Sequence, residues 1–153
     1  MPGRDKATPK GKDFFRQIAE LAKLQVRVGF QQGAASEGGA DIVDVAMWNE
    51  LGTEHIPPRP FLRQSVENNA AQIKAMAEAQ VKKLVKGQTT AQGALQALGT
   101  MQKGLIQNEI KSGGFTPNAP RTIAKKGSAQ PLIDTGRLRQ SVTFVIQEKG
   151  GGD

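Results

Sequence analysis

Ile133-Asp134-Thr135-Gly136 has the hydrophobic-Asp-Thr-Gly form of an aspartic-protease loop. In the small viral type each subunit gives one Asp, and the paired carboxylates share a proton to activate water. The position argues against that chemistry. Only residues 137–153 follow Gly136 here, too few for the flap and strands such a fold places after its catalytic loop. Residue 137 is Arg, where those enzymes carry a small side chain. Asp134 is therefore expected to cap a short helix carrying Leu138, with Gly136 allowing close backbone approach.

Asp41, Asp44, Glu50, Glu54 and His55 form the only acidic cluster with a conceivable metal or acid–base use. Asp41 and Asp44 lie three apart and could share a helix face, but no second His and no glycine-turned calcium loop accompanies them. Gly33, Gly38 and Gly39 lack the spacing and the Lys of a phosphate-binding loop. Lys82, Lys83 and Lys86, like Lys125-Lys126, stand where a helix C-terminus favours cations. No nucleophile with a nearby base stands out. The expectation is a protein without catalytic, metal or cofactor site.

Composition narrows the classes further. The 153 residues contain no Cys, which removes disulfides, thiolate metal sites, Fe–S clusters and cysteine nucleophiles, and leaves the redox compartment open. One His cannot build a two-His facial triad. No apolar run approaches the roughly 20 residues that span a bilayer, and Met1–Lys12 does not read as a secretory signal. Net charge is +7, but unevenly spread. Residues 24–56 carry −4 and residues 57–90 carry +4. Opposite charges on neighbouring stretches suit self-assembly or docking on a charged partner better than a uniformly basic nucleic-acid domain. With no basic–aromatic interleaving, DNA contact is expected only as a non-specific one through phosphates.

The elements that must position these residues follow from periodicity. Residues 1–12 hold nothing to bury and read as a flexible basic arm. Asp13 is expected to cap a helix with Phe14, Ile18 and Leu21 on one face. Leu24, Val26, Val28 and Phe30 alternate as a half-buried strand, and 31–40 reads as a mobile Gly-rich loop. Asp41 caps a short helix through Trp48 and Leu51, ended by Gly52. Pro60 opens a long helix, about 40 Å, with its stripe from Leu62 to Leu84 and its end at Gly87. Thr89 or Thr90 caps another, stopped by Gly113-Gly114, in which Gly93, Gly99 and Gly104 suggest close packing. Residues 115–133 read as a turn-rich connector with a short helix after Pro120. Val142, Phe144 and Ile146 form a closing strand, and 148–153 a disordered tail. The fold expected is α+β: one domain, residues 13–147, with a small antiparallel sheet packed beneath two long helices.

Two ordered stretches then carry a resemblance. Ala46-Met47-Trp48-Asn49-Glu50-Leu51-Gly52-Thr53 leads into Ile56-Pro57-Pro58-Arg59-Pro60-Phe61-Leu62-Arg63. Near the other end stand Thr122-Ile123-Ala124-Lys125-Lys126-Gly127, then Pro131-Leu132-Ile133-Asp134-Thr135-Gly136-Arg137-Leu138 and Ser141-Val142. Together, across roughly residues 24–147, they resemble the tailed-phage neck or tail-completion family related to the lambda minor tail protein Z. Leu51 stands where that family usually has an aromatic residue.

The resemblance implies a structural virion protein at the head–tail junction, made in the host cytoplasm. It implies a ring, a hexamer or a multiple of it, around the DNA channel. Its partners would be copies of itself, tail-terminator or tail-tube proteins, and head-completion or connector proteins. The implied docking residues are Trp48, Glu50, Thr53, Pro57, Pro58, Arg59, Phe61, Arg63 and Arg137, with Asp134 and Gly136 structural. Prolines 57, 58 and 60 fix the backbone before binding, which lowers the entropy lost at an interface. An aromatic between two arginines is a common hot-spot composition. Phe61 is expected inward, with Arg59 and Arg63 outward. The competing reading is a basic, non-enzymatic nucleic-acid-binding accessory protein.

Overall fold

The computed structural model describes residues 8–37, 39–112 and 136–150. Four expectations lie outside these residues: the helix after Pro120, the Gly113-Gly114 stop, the Asp134 cap and the foremost part of the basic arm.

The chain opens with helix α1, Pro9–Lys23. Thr8, not Asp13, caps it: the Thr8 hydroxyl accepts from the Gly11 N–H at 3.0 Å, and Pro9 supplies a preset φ at the first position. The expected arm therefore gives up residues 9–12 to the helix, and Asp13 falls inside it, paired with Arg16. Helix α1 buries no residue completely; Ile18, expected inward, is exposed beside Phe15.

Strand β1, Leu24–Gly29, follows directly and pairs antiparallel with β4, Thr143–Glu148, from Leu24↔Glu148 to Gly29↔Thr143. This is the expected long-range pairing. Its reach corrects the expected tail, because Glu148 is in the ladder and the Lys149 N–H donates to the Lys23 carbonyl at 2.8 Å.

The expected mobile loop 31–40 contains a small hairpin, β2 at Ser36–Glu37 and β3 at Ala40–Asp41. Asp41 explains part of its order. One carboxylate oxygen accepts from the Val43 N–H at 2.9 Å and so caps helix α2, Ile42–Leu51, while the other accepts from the Gly33 N–H at 2.7 Å. Gly52 ends α2 at φ 77°.

The single long helix expected after Pro60 is two helices, α3 (Phe61–Glu67) and α4 (Ala70–Val85). Asn68-Asn69 breaks the run. The Asn69 side chain donates to the Ser65 carbonyl at 2.9 Å, while its own backbone leaves the helical region at φ −125°, ψ 21°. Short amide side chains compete with the helix for its own backbone in this way.

Helix α5, Ala91–Ser112, is about 33 Å long at the usual rise per residue. Thr90 caps it, its hydroxyl accepting from the Gly93 N–H at 3.1 Å. Gln17 of α1 adds a second capping acceptor, its side-chain oxygen taking the Ala91 N–H at 2.8 Å. Helix α6, Arg137–Gln140, opens at Gly136 and carries the buried Leu138.

The fold is a single α+β domain. The two long helices are α4 and α5; among the described residues α5 lies across the sheet and α4 packs on α5. Val28, Ile42, Ala46, Phe61, Ile106, Ile110, Leu138 and Val142 form the main core. Leu24, Val26, Ala91, Leu95 and Ile146 form a second cluster at the other end of the sheet. Phe61 meets Phe30 edge-on, ring centres 6.0 Å apart. Among the described residues no helix is long and apolar enough to cross a membrane.

Candidate functional site

The stretch from Trp48 to Arg63 joins the end of α2 to the start of α3, and its polar residues hold it in one shape. Asn49 grips the far side twice. Its carbonyl accepts from the Arg59 N–H, and its side-chain oxygen lies 3.4 Å from Arg59 Nη1. The Asn49 amide nitrogen in turn donates to the Val45 carbonyl at 2.8 Å, which anchors it to α2.

Glu50 caps α3 from the neighbouring helix. One of its oxygens accepts from the Leu62 N–H at 2.9 Å and the other from the Arg63 N–H at 3.1 Å. A carboxylate on free N–H groups at a helix N-terminus is favoured by both hydrogen bonding and the helix dipole. Pro60 precedes the helix and offers no side-chain cap, so Glu50 fills the role.

Between them the chain turns tightly. The Thr53 hydroxyl accepts from the N–H groups of His55 (3.2 Å) and Ile56 (3.0 Å), and the Thr53 N–H donates to the Ile56 carbonyl at 2.7 Å. A β-carbon at Gly52 would lie 2.8 Å from Pro58 N, so the proline run sits directly on this glycine. The whole segment is preorganised.

The docking residues therefore divide. Phe61 is fully buried, as expected. Arg59, expected outward, is 7% exposed: its attachment to Asn49 draws it beneath the loop, which corrects that assignment. Glu50 and Thr53 have their acceptor atoms committed to the chain's own N–H groups. Trp48, Pro57, Pro58 and Arg63 remain exposed, Arg63 with only a 3.8 Å approach to Glu67. These four share the presented surface with Leu51, Thr53, Glu54 and His55.

Arg137 stands apart, exposed at the start of α6, where it donates to the Ser36 carbonyl and lies 3.8 Å from the Glu37 carboxylate. It fastens the hairpin to α6. Among the described residues nothing approaches the place of a β-carbon at Gly136; its φ of 63° is what favours glycine there.

The acidic cluster does not converge. Asp41 and Glu50 cap different helices, and among the described residues no three acidic or histidine side chains gather as metal ligands would. A groove at the Gly29–Thr143 end of the sheet, its described lining including Arg27, Val28, Phe30, Thr143, Phe144 and Gln147, has no carboxylate or imidazole among those described residues.

Three residues escaped the sequence reading. Asn49 was hidden by its ordinary polarity, although it directly precedes Glu50 in the motif. Met47 and Leu51 are 50% and 70% exposed on α2. Their signal was available: α2 is apolar on nearly every side, and such a helix at a surface has an unpartnered face. Comparison with protein-family models, with curated proteins and with solved structures returns no match for this chain.

Proposed function

We propose that the chain is a structural, non-enzymatic subunit of a ring at the head–tail junction of a tailed bacteriophage, joining tail to head around the DNA path. The observation that carries this reading is the preorganised segment 48–63. Asn49, Glu50, Thr53 and Arg59 are spent on its own shape, and what it presents includes two prolines, a tryptophan, a leucine, a histidine and an arginine. A loop held this way loses little entropy on binding, and Trp and Arg are the side chains that most often anchor protein interfaces. The ordered pair of motifs supports the same reading through the family resemblance.

The test uses two exposed positions of the segment. Pro57→Asp with Arg63→Glu leaves the domain folded and yields separate heads and tails in place of joined particles. Normal infectious particles from that double variant overturn the docking role of the segment. Arg59 is unsuitable for this experiment, because its burial makes any loss ambiguous between folding and docking.

The net charge of +7 favours one further contact, with DNA phosphates in the channel. It would be non-specific and lost as salt rises.

A further inference from the structure

Two helices carry apolar side chains on their outer faces, and the charges around those faces are opposite. On α2 the outward row is Asp44, Met47, Trp48 and Leu51, at helical spacings of three, four and seven, with Glu54 just beyond. On α4 the outward row is Lys74, Val81, Lys82 and Val85, with Glu78 between them and Lys86 following. Val81 and Val85 are each about half exposed. The two rows belong to separate surfaces: α2 rests on α3, α6 and the hairpin, whereas α4 rests on α1, α3 and α5. Among the described residues, Asp44, Glu54, Lys74, Lys82 and Lys86 take part in no ion pair.

We propose that the α2 row of one copy docks on the α4 row of the next, an inference that rests on the ring-subunit reading above. Charge decides between the possible self-contacts. An α2-on-α2 contact sets Asp44 and Glu54 against their own copies, and an α4-on-α4 contact does the same to three lysines. Like charges brought together at an interface cost affinity. The crossed contact pairs carboxylates with ammonium groups around a shared apolar strip of Met47, Trp48, Leu51, Val81 and Val85. It is also heterologous, so each copy keeps one row free for a further neighbour, and repeated contacts close into a ring when the rotation permits.

Zero-length carbodiimide coupling, which joins a carboxylate to an amine only in direct contact, tests it. It is applied to concentrated purified protein and to particles, with linked peptides identified by mass spectrometry. The expected product is a ladder of covalent multimers linked from Asp44 or Glu54 to Lys74, Lys82 or Lys86. Asp44→Lys with Glu54→Lys should abolish those links. Adding Lys82→Glu and Lys86→Glu to the same chain should restore the ladder with the link direction reversed. All four positions are exposed, and circular dichroism checks that the variants stay folded. Monomer alone in both settings, or links between copies only elsewhere, overturns the contact. So does a chain whose α4 lysines protect DNA while the α2 substitutions change no assembly. Deleting the chain from particles separates the two readings. Unjoined heads and tails without the α2–α4 link sink the contact alone; the link with normally joined particles sinks the neck role alone.

Discussion

Gly99 gives the ring of Phe144 the space that a β-carbon would occupy: one built there would lie 2.5 Å from Phe144 Cδ2. This contact is where the long helix α5 meets the closing strand, so the helix–sheet distance depends on a missing methyl group. Gly104, one turn further on with a residue to spare, has nothing among the described residues within 4 Å of the same position. Gly99→Ala should therefore destabilise the fold by about 1–3 kcal/mol through overpacking. Gly104→Ala should stabilise it by about 0.5–1 kcal/mol through helix propensity. Urea denaturation of the two variants checks the pair, and equal shifts of the same sign contradict the packing described.

Glu50 offers a second separation. Removing a carboxylate that accepts from two free helix N–H groups should cost about 1–2 kcal/mol. In thermal unfolding, Glu50→Ala should melt about 2–4 °C lower for each kcal/mol lost. Glu50→Gln, which keeps one acceptor oxygen, should fall between it and the parent. An unchanged midpoint for Glu50→Ala removes the capping role.

Arg59 and Arg63 should behave oppositely under the same substitution. Arg59→Glu places a carboxylate beside the Asn49 acceptors in a buried site and should cost more than about 2 kcal/mol. Arg63→Glu acts at the surface and should stay within about 0.5 kcal/mol. Soluble yield and denaturant midpoint report both. A destabilised Arg63→Glu together with a tolerant Arg59→Glu reverses the assignment.

What the sequence revealed is what its local chemistry controls. The alternation at Leu24–Phe30 and at Val142–Ile146 marked two strands whose apolar faces needed each other. Asp41 and Gly52 bounded α2, and the Thr89-Thr90 pair marked the opening of α5, because caps and positive-φ glycines act within a few residues. The misreadings are long-range or competitive. Asn68-Asn69 sat inside an unbroken apolar stripe, so periodicity outweighed the side-chain bond to Ser65 that splits the helix. In the docking segment the residue types were legible but not their directions. Arg59 turns inward because Asn49, ten residues earlier, receives it, and Glu50 turns toward α3, twelve residues ahead. No spacing rule assigns such partners across a loop.

DNA contact is tested by salt. With α4 lysines outward, binding of duplex DNA by the purified protein should weaken steeply between low and physiological salt. Tight, sequence-selective binding at physiological salt favours the nucleic-acid accessory reading instead.

The central claim is that this chain joins tail to head, and electron microscopy of particles made without it tests that most directly. The account predicts separate filled heads and complete tails, which purified wild-type protein joins when added back and the Pro57→Asp, Arg63→Glu variant does not. Joined, infectious particles formed in the chain's absence contradict it.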